Sequence, residues 1–277
     1  MARILGCITT SHVPAIGKAL ATQQQDAPYW KPFFEGFGPI REWLARERPD
    51  AAVVFYNDHG LNFFLDKMPT FAIGAAERYV NADEGWGIPT LAPFAGDQDL
   101  SWQLIEQLIV ADFDLTTCQE MLVDHAFTLP MKLLWPDGDA PPAVPLSINT
   151  VQFPLPGARR VWALGQAVGE AVRAWDSDKR VVVIGTGGLS HQLDGQRAGF
   201  INKDFDQRFM RSLVEQPDWA TQYSIHELVE LTGTQGVELL MWLAARAALG
   251  GQARLVHQHY HIPISNTAAG AMVLAAG

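Results

Sequence analysis

The chain has 277 residues, 48% of them hydrophobic and 18% charged. That is enough apolar material for a sizeable core, and too much for a disordered segment. A net charge of −10 excludes a nucleic-acid backbone as the expected partner, and an anionic substrate would need a local positive centre such as a metal ion. The two cysteines, Cys7 and Cys118, give neither a disulfide framework nor a zinc-thiolate site and fit a reducing cytoplasm. The N-terminal apolar run is too short for a secretory signal, and no stretch reaches the roughly 20 apolar residues of a membrane span. The expectation is a soluble, cytoplasmic protein that binds neither nucleic acid nor membrane.

Ile4 to Ile8 reads as the first strand. It ends in Thr9-Thr10-Ser11-His12, and Pro14 is expected to stop regular structure, so His12 sits on a loop just past a strand end. Residues 22 to 39 look irregular, but Tyr29, Trp30, Phe33, Phe34 and Phe37 predict that they pack down on the body of the protein. A helix follows over Ile40 to Glu47, with Trp43 and Leu44 on its buried side. Ala51 to Tyr56 is the second strand. It closes with Asn57-Asp58-His59-Gly60, where Asn57 and Asp58 are placed to orient an imidazole or a neighbouring ligand.

Thr70 to Gly74 is a third strand, and 81–97, rich in Gly and Pro, reads as a long loop. Asp97 or Asp99 caps a helix over Leu100 to Val110. Asp124-His125 precedes a short apolar segment. Read alone, His125 is as well explained as a buried, hydrogen-bonded core residue. Val144 to Asn149 is a strand and Val161 to Trp175 a helix.

Arg180 to His191 (RVVVIGTGGLSH) organises the rest. A short β-branched strand is broken by Gly185-Thr186-Gly187-Gly188, and His191 follows at once. A charged amphipathic helix over 201–215 places Phe205, Phe209 and Leu213 on one side, as core contacts. Val237 to Leu249 is a helix whose first seven residues are apolar except Glu238. A lone carboxylate there is costly to bury unless it is paired or bound to a metal, although an exposed first-turn Glu is the simpler alternative. Arg254 to Ile262, carrying His257, His259 and His261, and a final strand near Ala271 to Leu274 complete the chain.

Alternating apolar strands and amphipathic helices, with no internal repeat or linker, predict one α/β domain over residues 1–277. A central mixed, largely parallel sheet is flanked by helices, and the active site lies at the carboxyl ends of the strands. Two motifs carry little. Gly185-Thr-Gly187-Gly188-Leu-Ser190 has a serine where a dinucleotide fingerprint needs its third glycine, and no packed helix begins there. The alternating His257, His259 and His261 face the same way on a strand but have no carboxylate at hand in sequence.

The stronger constellation is three strand-end histidines, His12, His59 and His191, with the isolated carboxylate Glu238. Strand ends in an open α/β sheet share one crevice. Two neutral imidazoles and one carboxylate suit Fe(II) and leave coordination positions open. A site with that net positive charge favours a bidentate anionic guest such as a catecholate, and a nearby histidine can take the second hydroxyl proton.

The stretches TSHVPAIG, NDH, Asp124-His125, GTGGLSHQL, GTQGVELLMW and HIPISNTAAG, spread over nearly the whole chain, resemble the LigB-type (class III) extradiol ring-cleaving dioxygenases, in particular the catalytic (β) subunits of the protocatechuate 4,5-dioxygenase type. The resemblance implies Fe(II)-dependent extradiol cleavage of a catecholic acid such as protocatechuate or gallate with O2, giving a muconate semialdehyde-type product. It further implies His12, His59 and Glu238 as iron ligands, His191 as the acid/base residue, His125 near the bound hydroxyls, and Ser265 and Asn266 by the ring substituent. Such proteins often work with a small α subunit in an oligomer. No appended α-type segment is legible here, so the expectation is a separate partner or function without one. The rivals are a non-catalytic metal- or ligand-binding relative, disfavoured because all four positions are filled, and a zinc hydrolase using the same ligands.

Overall fold

The computed structural model describes residues 1–85 and 87–277. Its strands, in chain order, are β1 (Arg3–Thr10), β2 (Ala51–Tyr56), β3 (Phe71–Gly74), β4 (Arg78–Asn81), β5 (Phe94–Ala95), β6 (Thr116–Cys118), β7 (Leu122–Val123), β8 (Ala143–Ile148), β9 (Arg180–Thr186), β10 (Ala253–Ile264) and β11 (Thr267–Ala276). Among the described residues, eight of these form one sheet in the order β10-β11-β1-β9-β2-β8-β3-β6, and β5-β4-β7 form a small second one. The centre of the large sheet, β1-β9-β2-β8, is parallel. Strands β10, β11 and β3 join it antiparallel. This is the mixed, mostly parallel α/β architecture that the alternation of strands and helices predicted.

The central strands are β-branched because both of their faces are covered. Val53, Phe55, Val181 and Val183 point into a core shared with the helices Gln98–Val110, Ala158–Ala174, Lys203–Glu215 and Leu239–Leu249. Ala52, Val54, Tyr56, Val182 and Ile184 point the other way, toward Pro14–Ala21, Gly38–Glu47 and His125–Leu134. Trp30, Phe33, Phe34 and Phe37 pack into this second core, which explains the aromatic density of the 22–39 segment.

Pro14 does not stop regular structure as expected; it occupies the first turn of the helix Pro14–Ala21. A proline is well suited there because its missing N–H would have had no helical partner. Asp97 is the residue that caps the next predicted helix, accepting from Leu100 N at 3.2 Å. The helix Ile225–Thr232 was not predicted, though its Ser224–Glu227 capping box is a legible signal. Among the described residues, no helix is long and apolar enough to cross a membrane.

The register fixes what the strands deliver. Thr9 pairs with Gly185, Thr10 with Thr186 and Phe55 with Gly185. The carboxyl ends of β1, β9 and β2 therefore finish at one level. The segments carrying His12, His191 and His59 leave the sheet side by side. Gly185 lets a fourth element approach. A Cβ there would lie 2.3 Å from the Met241 carbonyl oxygen, so only glycine lets the helix Leu239–Leu249 cross the strand so closely.

Candidate metal centre and active site

Glu238 ends a short 3-10 turn, Gly236–Glu238, directly ahead of the helix Leu239–Leu249. It is 5% exposed, so the buried alternative is the observed one. Gly188 N donates to its Oε2 at 2.7 Å and Asn57 Nδ2 to its Oε1 at 3.1 Å. The same carboxylate faces three histidines. Oε2 lies 3.3 Å from His12 Nε2, Oε1 lies 3.5 Å from His59 Nε2, and Oε2 lies 3.9 Å from His191 Nε2.

Each ring is held from behind. His59 Nδ1–H donates to Asp124 Oδ2 at 3.0 Å, and the same oxygen accepts the His59 backbone N–H at 2.7 Å. His12 Nδ1 sits 3.2 Å from Thr186 Oγ1. His191 Nδ1 is 2.9 Å from the Leu189 carbonyl oxygen. A carbonyl only accepts, so Nδ1 carries the proton in a neutral His191 and Nε2 is left as a lone pair facing the cluster. His125 starts the helix His125–Leu134. Its Nδ1–H donates to Glu84 Oε2 at 2.5 Å, and its backbone N–H to Glu84 Oε1 at 2.6 Å.

The electrostatics follow from three carboxylates set among these rings. Burial alone would raise the Glu238 pKa, but His12, His59 and His191 outweigh it and hold the pKa well below the usual range. Burial likewise disfavours a charged His59, yet Asp124 and Glu238 push its pKa up to about 10. Asp124 is held down to about 2, its burial outweighed by His59. Burial and the neighbouring His59 both lower His125. The site is therefore built to hold positive charge, as a proton or as a cation.

The donor set fits a divalent metal. His12 Nε2 is buried and makes no hydrogen bond, and an orphaned imidazole nitrogen of this kind suits a ligand. Donors at right angles around an ion with bonds of about 2.1 Å lie about 3 Å apart, close to the 3.3 and 3.5 Å seen here. A second set is also close: nitrogens of His12, His59 and His125 lie within 4.8 Å of one another. It fits less well, because His125 stacks on His59 with centroids 4.2 Å apart and planes at 29°. Lone pairs of stacked rings run side by side instead of converging. His12 is edge-on to both rings.

A cavity of about 590 Å³ opens over this cluster. His12, His59, His125, His191 and Glu238 line it, and Ser265 closes one side. Ser265 takes a left-handed conformation (φ 56°), and its N–H donates to the Tyr29 hydroxyl at 3.0 Å. Asn266 is exposed beside it and is not among the lining residues. No Lys or Arg lines the cavity among the described residues.

Residues 6–272 match the family described as the catalytic LigB subunit of aromatic ring-opening dioxygenase. The chain belongs to that family. Gallate dioxygenase of Pseudomonas putida KT2440 is 36% identical over 184 residues, and the LigB chain spans 54% of its length while contributing 66% of its own. The 2,3-dihydroxyphenylpropionate/2,3-dihydroxicinnamic acid 1,2-dioxygenase of Photorhabdus laumondii is 28% identical over 314 aligned positions, covering 97% of this chain and 96% of that one. The crystal structure of an uncharacterized protein of Escherichia coli K12 shares the fold of the LigB chain, with a TM-score of 0.61 at 16% identity, over 98% of this chain and 100% of that one.

Several partners in the LigB site went unread in the sequence. Asp58, with Asn57, is expected from the sequence to orient an imidazole or a neighbouring ligand, and Asn57 does donate to Glu238 Oε1. The Asp58 carboxylate instead gathers the backbone N–H groups of Gly60, Leu61, Asn62 and Phe63 and shapes the loop behind His59. Asp124, adjacent to His125 in sequence, serves His59 instead. Glu84 was hidden in the 81–97 loop, where nothing marked it beyond its charge. Among the predicted histidines, His257 is engaged elsewhere, 2.9 Å from the Gly36 carbonyl, and the His257–His261 row gathers no metal-type cluster among the described residues.

Proposed function

We propose that this chain cleaves the ring of a catecholic aromatic acid, such as protocatechuate or gallate, next to its two hydroxyls, using O2 and Fe(II) and giving a muconate semialdehyde-type product. The observation that carries the reading is the approach of the Glu238 carboxylate to both His12 Nε2 and His59 Nε2, with His191 Nε2 3.9 Å from it. Two imidazoles and one carboxylate form a donor set suited to non-haem Fe(II). When bound, the iron supplies a Lewis acid with a redox-active partner for dioxygen.

The chain's own residues do the rest. His12, His59 and Glu238 hold the ion, and Asp124 fixes the tautomer of His59. His191 Nε2 accepts a proton from a substrate hydroxyl and returns one later in the reaction. His125, oriented by Glu84, lies near the hydroxyls. Val13, Pro14, Val151, Phe153 and Leu193 give the cavity apolar walls that exclude water. Ser265 lines the cavity on the side of the ring substituent, and Asn266 follows it in the same turn, outside the lining. With no Lys or Arg in the lining among the described residues, the substrate's carboxylate is met by hydroxyl and amide groups such as Ser265, Thr150 and Gln235.

A small α-type subunit covers the mouth in this reading. Val151, Phe153 and Leu193 are each about half exposed at the rim, and a clustered apolar rim is a surface that a partner covers. The two cysteines, both buried and free, fit a reducing cytoplasm.

The test is anaerobic reconstitution with Fe(II), then oxygen uptake with protocatechuate, gallate and 3-O-methylgallate, with a zinc-loaded control. Oxygen consumption equal to ring loss with one of these acids, and none with zinc, is the expected result. Tight iron binding with no oxygen uptake on any catechol, or ester hydrolysis by the zinc form, would overturn the reading.

A further inference from the structure

One buried carboxylate outside the donor cluster has no part in the reaction described so far. Asp206, on the helix Lys203–Glu215, is 1% exposed. Its Oδ1 accepts the Ser190 backbone N–H at 2.9 Å, and its Oδ2 accepts the Ser190 hydroxyl at 2.6 Å and the Tyr260 hydroxyl at 2.9 Å. Ser190 Oγ in turn accepts from Asn202 N at 2.7 Å. Three donors converge on a carboxylate that no basic side chain pairs among the described contacts.

The Ser190 N–H that Asp206 holds and the Leu189 carbonyl that holds His191 Nδ1 belong to one peptide group. The chain of contacts runs Asp206 carboxylate, peptide N–H, the same peptide's C=O, then His191 N–H, at 2.9 Å on each side. We infer that Asp206 is a positioning residue for His191, acting through the Leu189–Ser190 peptide to fix the imidazole's tautomer and direction. A carboxylate on the N–H side polarises the peptide and makes its oxygen a better acceptor for Nδ1–H. The peptide plane is then fixed on both edges, so the Nε2 lone pair stays aimed at the cavity. Backbone contacts brace the same stretch: His191 N to Thr232 O at 2.8 Å, Leu189 N to Ala268 O at 3.2 Å and Ala268 N to Ser190 O at 3.1 Å. Asp206 is the ionisable side chain in this brace. In a metal site the imidazole ligands are oriented by carboxylates one step out; here that orientation reaches the proposed base through a peptide.

The catalytic part of the inference rests on the proposed ring-cleavage reading; the tautomer part does not. The experiment is Asp206→Asn, beside Tyr260→Phe and Asp206→Glu, read in two ways. Nitrogen-15 spectra of the His191 imidazole in metal-free protein should show Nδ1–H in the wild type and a mixture of tautomers in Asp206→Asn. Steady-state kinetics on the iron form should show kcat down about 10- to 100-fold at similar iron content, with KM changed less than about threefold. Tyr260→Phe leaves both Ser190 contacts in place and should behave as wild type. An Asp206→Asn protein that melts earlier but keeps the wild-type tautomer and kcat would reduce Asp206 to a structural staple and overturn the inference. If Asp206→Asn does not fold, Asp206→Glu decides: the longer side chain moves the carboxylate off the Ser190 N–H, so a mixture of tautomers is expected, and a folded Asp206→Glu protein with the wild-type tautomer and kcat overturns the inference. Should the wild type consume no oxygen with any catechol, the functional reading fails while the tautomer measurement still decides this one.

Discussion

Glu238 Oε2 accepts the backbone N–H of Gly188 at 2.7 Å, so the carboxylate that faces His12 and His59 is tied to the loop that carries His191. The proposed ion-holding group and the proposed base are thereby set relative to each other by a single short hydrogen bond, and not merely by sharing a crevice. Loop and helix cannot shift independently without breaking it.

That coupling separates two variants. Glu238→Gln keeps the side chain's size but removes the charge, and metal affinity should fall by more than about 100-fold. His191→Ala should retain the ion at near wild-type stoichiometry and lose about 10²- to 10⁴-fold in kcat. Elemental analysis of the purified proteins beside steady-state oxygen uptake checks both. Equal metal content in Glu238→Gln and wild type would remove Glu238 from the donor set.

Asp124 holds His59 by both its backbone N–H and its ring N–H. Asp124→Asn keeps an oxygen able to accept both His59 hydrogens, which share Oδ2 here, but it removes the charge, and a flipped amide presents N–H groups to the ring instead. Metal affinity should drop about 10- to 100-fold, measured by competition with a chelator of known affinity. His125, served by Glu84, should be unaffected in its own hydrogen bonds.

Gly187 has φ 146°, and a Cβ placed on it would lie 2.8 Å from both the Cβ and the carbonyl oxygen of Glu238. Gly187→Ala should therefore cost about 1–3 kcal/mol in strain and also push Glu238 away from the histidines. Thermal melting with and without metal reads this. The stabilisation by metal should shrink more than the metal-free melting temperature does.

Burial raises the Asp206 pKa from its ordinary 3.8 to about 6, its contacts with Ser190 and Tyr260 notwithstanding. Between pH 4 and 6 the folded chain then holds a proton that the unfolded chain has released, so stability falls as pH rises through that window. The contribution is fully present below about 4 and gone above about 6, and its size is on the order of 3 kcal/mol at most. Denaturant titrations of wild type and Asp206→Asn across pH 4–7 should differ by a curve with this slope. A flat difference would mean that the carboxylate ionises normally.

Much of the candidate site was legible because it repeats a local rule. An apolar, β-branched run followed at once by small polar residues and a histidine occurs after β1, β2 and β9, and parallel strands place such endings together. Glu238 was legible for a different reason: one carboxylate in an apolar helix start is expensive unless something receives it. The orienting groups were not legible. Asp124 and His59 are 65 positions apart, Glu84 and His125 are 41 apart, and no local propensity links them. Asp58 was misread because a short acidic side chain beside a loop has a nearer use, collecting the loop's own N–H groups.

The sequence by itself determined the alternation of elements, the both-faced burial of the central strands and the identity of the residues gathered at their ends, because these depend on side-chain type and spacing along the chain. Which carboxylate serves which histidine, which nitrogen of His191 is left free, and the reach of Asp206 through a peptide to that ring were decided only in the folded molecule. Hydrogen bonds depend on distance and direction to within a few tenths of an ångström, and those are fixed by packing between elements that the sequence leaves far apart.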